Sequence, residues 1–286
     1  MKLGVSSYSL WQAVQKGELD LVGVVGKVAE LGGEHVEIVP LGLDLTANPE
    51  LVERVRNRAA EAGIEISNYA IGANFAGLDD EAFAREIDRV KREVDVAAAL
   101  GVKLMRHDVA NSADTSIRQF MADLPRLVEA CRAIADYAKP LGITTSIENH
   151  GYYVQASDRV QAIVHEVARD NFRTTLDIGN FVCVDEHPLV GVRNNAKLAS
   201  IVHVKDFYIR SAESDPGEGW FRSANGAYLR GAIAGQGDLD TRGALRIVKE
   251  SGFDGYLSIE FEGMEPCLQA TKIALDNTRR FWNEIQ

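Results

Sequence analysis

The segment ITTSIENHGYYVQASDRVQAIVHEVARDNFRTTLDIGN, residues 143–180, carries the pattern that decides the fold. An apolar run at 143–149 precedes a turn, then a helical stretch opened by Ser157-Asp158 and reaching about Ala168, then a second apolar run at 173–178. Two strand-like runs joined through a helix make the βαβ unit of a parallel sheet.

The same unit repeats in both directions. Upstream, strands at 3–7, 35–39, 64–70 and 102–106 alternate with helices near 19–31, 49–62, 79–100 and 116–140. Gly63 and Gly101 stand where helices stop, as left-handed caps do. Downstream come a helix near 188–198, a strand at 201–205, a helix from about Asp240, a strand at 256–261 and a helix at about 266–285. Eight strand–helix pairs in 286 residues predict an α/β fold of the closed (β/α)₈ TIM barrel type, a single domain over 1–286. An open doubly wound sheet would more often carry GxGxxG after its first strand, and the turn here is Ser6-Ser7-Tyr8-Ser9. The one irregular stretch is about 207–239, read as a long loop on the C-terminal face, a lid or pocket wall bearing Trp220, Phe221 and Tyr228.

Composition narrows the partners. A net charge of −11, with 42 acids against 31 bases, argues against a nucleic-acid surface. Three scattered cysteines form neither a disulfide framework nor a CxxC site. No apolar run approaches the ~18 residues of a membrane span, and the N-terminus has no signal-like apolar region, so a cytoplasmic protein without membrane partners is expected. A homo-oligomer, a dimer in the first instance, is the expected assembly.

Strand parity gives the chemistry. Thr144, Ser146 and Glu148 share one side of their strand, as do Tyr256, Ser258 and Glu260; Asp177 closes its strand beside Thr175, and His203 is in phase with Ile201. Acids turned into a barrel repel one another unless a cation sits among them. Glu148, Asp177, His203 and Glu260 are therefore the expected ligands of one divalent ion. Three carboxylates and one imidazole suit Mn²⁺ first, with Mg²⁺, Co²⁺ or Zn²⁺ compatible.

The phrases SIENHG (146–151), TLDIGN (175–180), IVHVKD (201–206), GQGD (235–238) and YLSIEFEG (256–263) resemble those of the xylose isomerase-like TIM barrels, the sugar phosphate isomerases/epimerases. The resemblance implies that the same four residues hold the metal. It also implies that Glu148 and Glu260 act as an acid/base pair on a keto sugar or polyol, through a metal-stabilised enediolate. Loss of a leaving group from that intermediate would make the chain a dehydratase or lyase on a keto-inositol or 3-keto-glycoside. An endonuclease IV-like repair nuclease would need a histidine three residues after Asp177, where this chain has Asn180. A non-catalytic sugar-binding barrel has no use for an intact ligand set.

The expected substrate contacts are His107, Asn180, Lys205, Arg210 and Trp220. Three have a plainer reading: His107 as a structural histidine at the barrel mouth, Lys205 as a salt bridge to Glu148 or Asp206, Arg210 as a solvated loop residue. Glu37 is read as a buried ion pair or a substrate contact, and the direction of His150 is open. No glycine-rich phosphate cradle follows the last strands, which favours an unphosphorylated substrate.

Overall fold

The computed structural model describes residues 1–285. Strands β1 (Lys2–Ser6), β2 (His35–Ile38), β3 (Glu65–Ile71), β4 (Leu104–His107), β5 (Thr144–Glu148), β6 (Phe172–Asp177) and β7 (Ala199–Val204) form seven staves of a barrel. Strands β8 (Asp206–Arg210), β9 (Phe221–Arg222) and β10 (Tyr228–Ala232) lie outside it, and β11 (Tyr256–Ile259) is the eighth stave. The barrel closes in the order β1-β11-β7-β6-β5-β4-β3-β2, with every pair parallel.

After the short α1 (Trp11–Gln15), helices cover the outside: α2 (Leu21–Glu30), α3 (Pro49–Ala62), α4 (Asp80–Leu100), α5 (Ile117–Ala138), α6 (Ser157–Val167), α7 (Pro188–Asn195), α8 (Thr241–Glu250) and α9 (Cys267–Glu284). Their ends follow local chemistry. Asp79 and Ser116 accept from the backbone N–H groups of Ala82 and Gln119, and Gly63 and Gly101 take left-handed φ angles of 68° and 81°. At α6 the expected Ser157-Asp158 cap is absent. Instead the Glu186 carboxylate, from the loop before the next helix, accepts from the Ser157 N–H at 2.8 Å. A tertiary acid does there what a local side chain does elsewhere.

The barrel interior is polar over much of its height. Ser146 Oγ lies 2.8 Å from Thr175 Oγ1, while Glu37, Asn68 and Ser258 point inward from neighbouring staves and are wholly buried. At the N-terminal end the His35 ring fills the space beside β1. A Cβ on Gly4 would fall 2.6 Å from that ring, so the position has room for no side chain. The apolar core lies mainly between staves and helices.

The stretch after β7 is not wholly irregular. β8, β10 and β9 make a three-stranded antiparallel sheet, with Phe207 and Leu229 buried beneath it. Its base is fixed by Asp206, whose buried carboxylate accepts from the N–H groups of Phe207, Gly235, Gly237 and Leu239 and from the Thr241 hydroxyl. A Cβ on Gly237 would fall 2.2 Å from Asp206 Oδ1, which is why this turn needs glycine. No helix among the described residues is long and apolar enough to cross a membrane.

Candidate metal centre

Four side chains converge at the C-terminal mouth. Glu148 ends β5, Asp177 ends β6, His203 lies in β7 and Glu260 follows β11, and each offers an atom within 4.8 Å of the others. Their directions follow from register. Glu148 pairs with Thr175, Asp177 with His203 and His203 with Ser258, so the ligand position advances by one inward step from β5 to β6 and by another from β7 to β11, as tilted staves require.

The ring of His203 is oriented from behind. Its Nε2 donates to Glu37 Oε2 at 2.9 Å, and Glu37 is fixed in turn by the Asn68 amide at 2.8 Å. That leaves Nδ1 facing Glu148 Oε1 at 3.3 Å and Glu260 Oε2 at 3.5 Å. Asp177 divides its labour likewise. Oδ1 accepts from the N–H groups of Gly179 and Asn180, and Oδ2 is left towards the centre.

Cations surround the cluster without filling it. Arg106 Nη2 lies 2.7 Å from Glu148 Oε2 and 2.8 Å from Asp108 Oδ1. Lys205 Nζ lies 2.7 Å from Glu260 Oε2 and 3.3 Å from both Asp177 Oδ2 and Glu262 Oε1. Burial pushes the Glu148 carboxyl up, but Arg106 and then His203 outweigh it and hold it below its usual range. Glu260 is held well below its range in the same way, by Lys205 and His203 against burial. For Asp177 burial prevails over Lys205, and Glu260 and Glu148 add to the rise, so its carboxyl is pushed up to about 7.

These features fit a divalent ion. His203 Nδ1, Asp177 Oδ2 and Glu260 Oε2 are buried with no well-aligned hydrogen-bond partner, and all three turn to the same point. Six carboxyl groups (Glu37, Asp108, Glu148, Asp177, Glu260, Glu262) face two permanent cations (Arg106, Lys205) and one imidazole, so acids outnumber bases whatever charge the imidazole carries. A buried carboxyl held half-protonated near neutral pH is one that a cation would ionise.

A cavity of about 180 Å³ opens beside the cluster, lined by Glu148, His203, Lys205, Glu260 and Glu262 together with Tyr8, Arg106 and His150. Of the expected substrate contacts, Lys205 is here, and Asn180 touches the cluster through Glu148 Oε1 and Lys205 Nζ, each at 3.2 Å. Lys205 pairs with Asp177, Glu260 and Glu262, not with Asp206.

His107, Arg210 and Trp220 are not at the cavity. His107 is on the outward side of β4, where it packs against Phe75 and Phe172 and its Nδ1 donates to the Asp108 carbonyl. Arg106, one residue earlier, takes the inward place, in register with Ser146. Arg210 is exposed and paired with Asp238 at 3.0 Å, and Trp220 lies against Arg210 and Arg230 on the outer sheet. That sheet docks on neighbouring loops, Tyr152 donating to the Arg222 carbonyl and Ser223 to Asp185, and contributes no residue to the cavity lining. Sequence reading passed over Arg106 and Tyr8. The inward phase of Ser146, carried across the β4–β5 register, is the signal for the arginine.

Residues 25–282 match the family model described as xylose isomerase-like TIM barrel. The chain belongs to that family. No curated protein sequence matches it. Among solved structures, this xylose isomerase-like barrel is similar to a xylose isomerase domain protein from Planctomyces limnophilus, at 18% identity, TM-score 0.72, over 91% of this chain and 92% of that one. It is similar to a D-psicose 3-epimerase from Clostridium cellulolyticum H10, solved with D-tagatose, at 16% identity, TM-score 0.75, over 99% of both chains. It is also similar to a xylose isomerase-like TIM barrel protein from Mycobacterium smegmatis, solved with magnesium, at 20% identity, TM-score 0.69, over 91% and 89% of the two chains. At such identities the likeness is one of fold.

Proposed function

We propose that this chain is a divalent-metal-dependent sugar isomerase or epimerase acting on a keto sugar or polyol, with Glu148 and Glu260 as its acid/base pair. One observation carries the reading. The two carboxylates arrive from opposite sides of β7, lie 3.3 and 3.5 Å from the same imidazole nitrogen, and line one cavity. Bound by Glu148, Asp177, His203 and Glu260, a divalent ion, Mn²⁺ by preference, would polarise a ketone and acidify the C–H beside it.

The remaining work falls to side chains. Arg106 and Lys205 keep Glu148 and Glu260 ionised, so either can take a proton from carbon. Delivery of a proton from the opposite face, by the other glutamate after it has taken one up from solvent, inverts that carbon, and return of the first proton to the neighbouring carbon moves the carbonyl. The buried Lys205 ammonium is close enough to balance negative charge growing on a substrate oxygen. The reaction for which the D-psicose 3-epimerase is named belongs to this class, which supports the reading here.

The test is a screen of keto sugars and inososes in deuterated water with Mn²⁺-loaded protein. Deuterium beside the carbonyl together with an epimer or isomer is the expected result. Water or aglycone loss as the product would make the chain a lyase instead. No exchange on any compound by fully loaded protein overturns the proposal.

A further inference from the structure

A second, larger hollow of about 600 Å³ adjoins the metal cavity and shares Tyr8, Val39, Ala70 and Arg106 with it. A ligand seated in the metal cavity can therefore extend past Arg106 into this cleft. Much of its lining is apolar, with Trp11, Pro40, Leu41, Leu43 and Ile71 contributing, and Leu43 is 45% exposed. The turn that builds the wall is unusual, because Leu41 takes φ 55° beside Gly42 at φ 83°. A branched side chain in the left-handed region is held there by its surroundings at a cost in strain.

The charged groups along the cleft are already engaged. Arg89 donates to Glu86 at 2.8 Å and to the Gly72 carbonyl at 2.7 Å; Glu93 accepts from the Tyr69 hydroxyl at 2.7 Å. Asp44 Oδ1 accepts from Thr46 and Ala47 in its own turn, and Arg106 is tied to Glu148 and Asp108. None of these groups is left to hold a phosphate or a carboxylate. The cleft suits a neutral, apolar body and has ample room for a ring.

We propose that the substrate is not a free monosaccharide but a keto sugar bearing a neutral apolar ring, its sugar at the metal cavity and its ring in the cleft between Trp11 and Leu43. This rests on the isomerase or epimerase reading for the sugar half, while the cleft is tested by affinity alone.

The experiment is calorimetric titration of Mn²⁺-loaded protein with D-fructose, 6-O-benzyl-D-fructose and isomaltulose, which carries a glucosyl unit at the benzyl position. The benzyl compound should bind at least about tenfold more tightly than D-fructose, and more tightly than isomaltulose. Leu43→Ser, at an exposed position, and Trp11→Ala should each remove most of that advantage while metal content and D-fructose affinity stay unchanged. Equal affinities, no binding of any of the three, a preference for isomaltulose, or an advantage that survives both substitutions would each overturn the inference. Failure of the catalytic reading is distinguishable, because it shows as absent deuterium exchange whatever the affinity ratio.

Discussion

His203 and Glu37 are joined by a 2.9 Å hydrogen bond from Nε2 to Oε2, with both side chains sealed from solvent. The bond fixes which ring nitrogen carries the proton and turns the other, Nδ1, towards Glu148 and Glu260. A carboxylate behind an imidazole both aims it and strengthens it as a ligand.

Gently purified protein should accordingly hold about one divalent ion per chain. His203→Ala should strip most of it, and Glu37→Gln should weaken metal affinity by about 10- to 100-fold without removing a ligand. Elemental analysis and competition with a chelating dye read both. Full metal retention in His203→Ala would refute the ligand set.

Glu148→Gln and Glu260→Gln should each lower kcat by about a hundredfold or more in a barrel that still folds. Metal content must be measured on the same samples, since each residue is also a proposed ligand. Near-normal turnover by a metal-loaded Gln variant would rule out the two-carboxylate mechanism.

Asp206 holds the root of the outer sheet through four backbone N–H groups and one hydroxyl. Asp206→Ala should leave those donors without an acceptor and cost about 2–4 kcal/mol. The loss should appear as a lower urea midpoint and as early proteolytic cutting within 207–239. An unchanged midpoint and an uncut segment would show that the sheet stands without this carboxylate.

The buried imidazoles of His35 and His107 are pushed down from 6.5 to about 4, burial outweighing their backbone hydrogen bonds. An imidazole depressed on folding contributes stability that is complete above its unfolded value and is lost as pH falls towards its folded one. Between pH 6.5 and 4 each should therefore withdraw up to about 3 kcal/mol. His107→Leu should flatten the slope of Tm against pH over this window, whatever it does to Tm at pH 8. A slope identical to that of the parent chain would contradict the assignment.

The alternation of strand and helix, read from residues 143–180 outward, was enough for the barrel, and strand parity was enough to bring Glu148, Asp177, His203 and Glu260 to one point. Both are local properties. A strand's period of two and its place in a parallel order decide which way each side chain faces. Where phase is not visible locally, the sequence does not decide which way a side chain faces. In β4 the polar pair Arg106-His107 follows Leu104-Met105, and only pairing with β5 decides that the arginine faces inward and the histidine outward. The stretch 207–239 looks irregular in sequence because its strands are short and the segments between them are rich in glycine. Its order comes from antiparallel pairing of Asp206–Arg210 with Tyr228–Ala232, many residues apart, and from a carboxylate gathering distant N–H groups. Sequence alone settled side-chain facing only in the strands whose alternation is legible, those that carry Glu148, Asp177, His203 and Glu260. Contacts between strands settled the rest, because register and hydrogen-bond partners exist only once the barrel has closed.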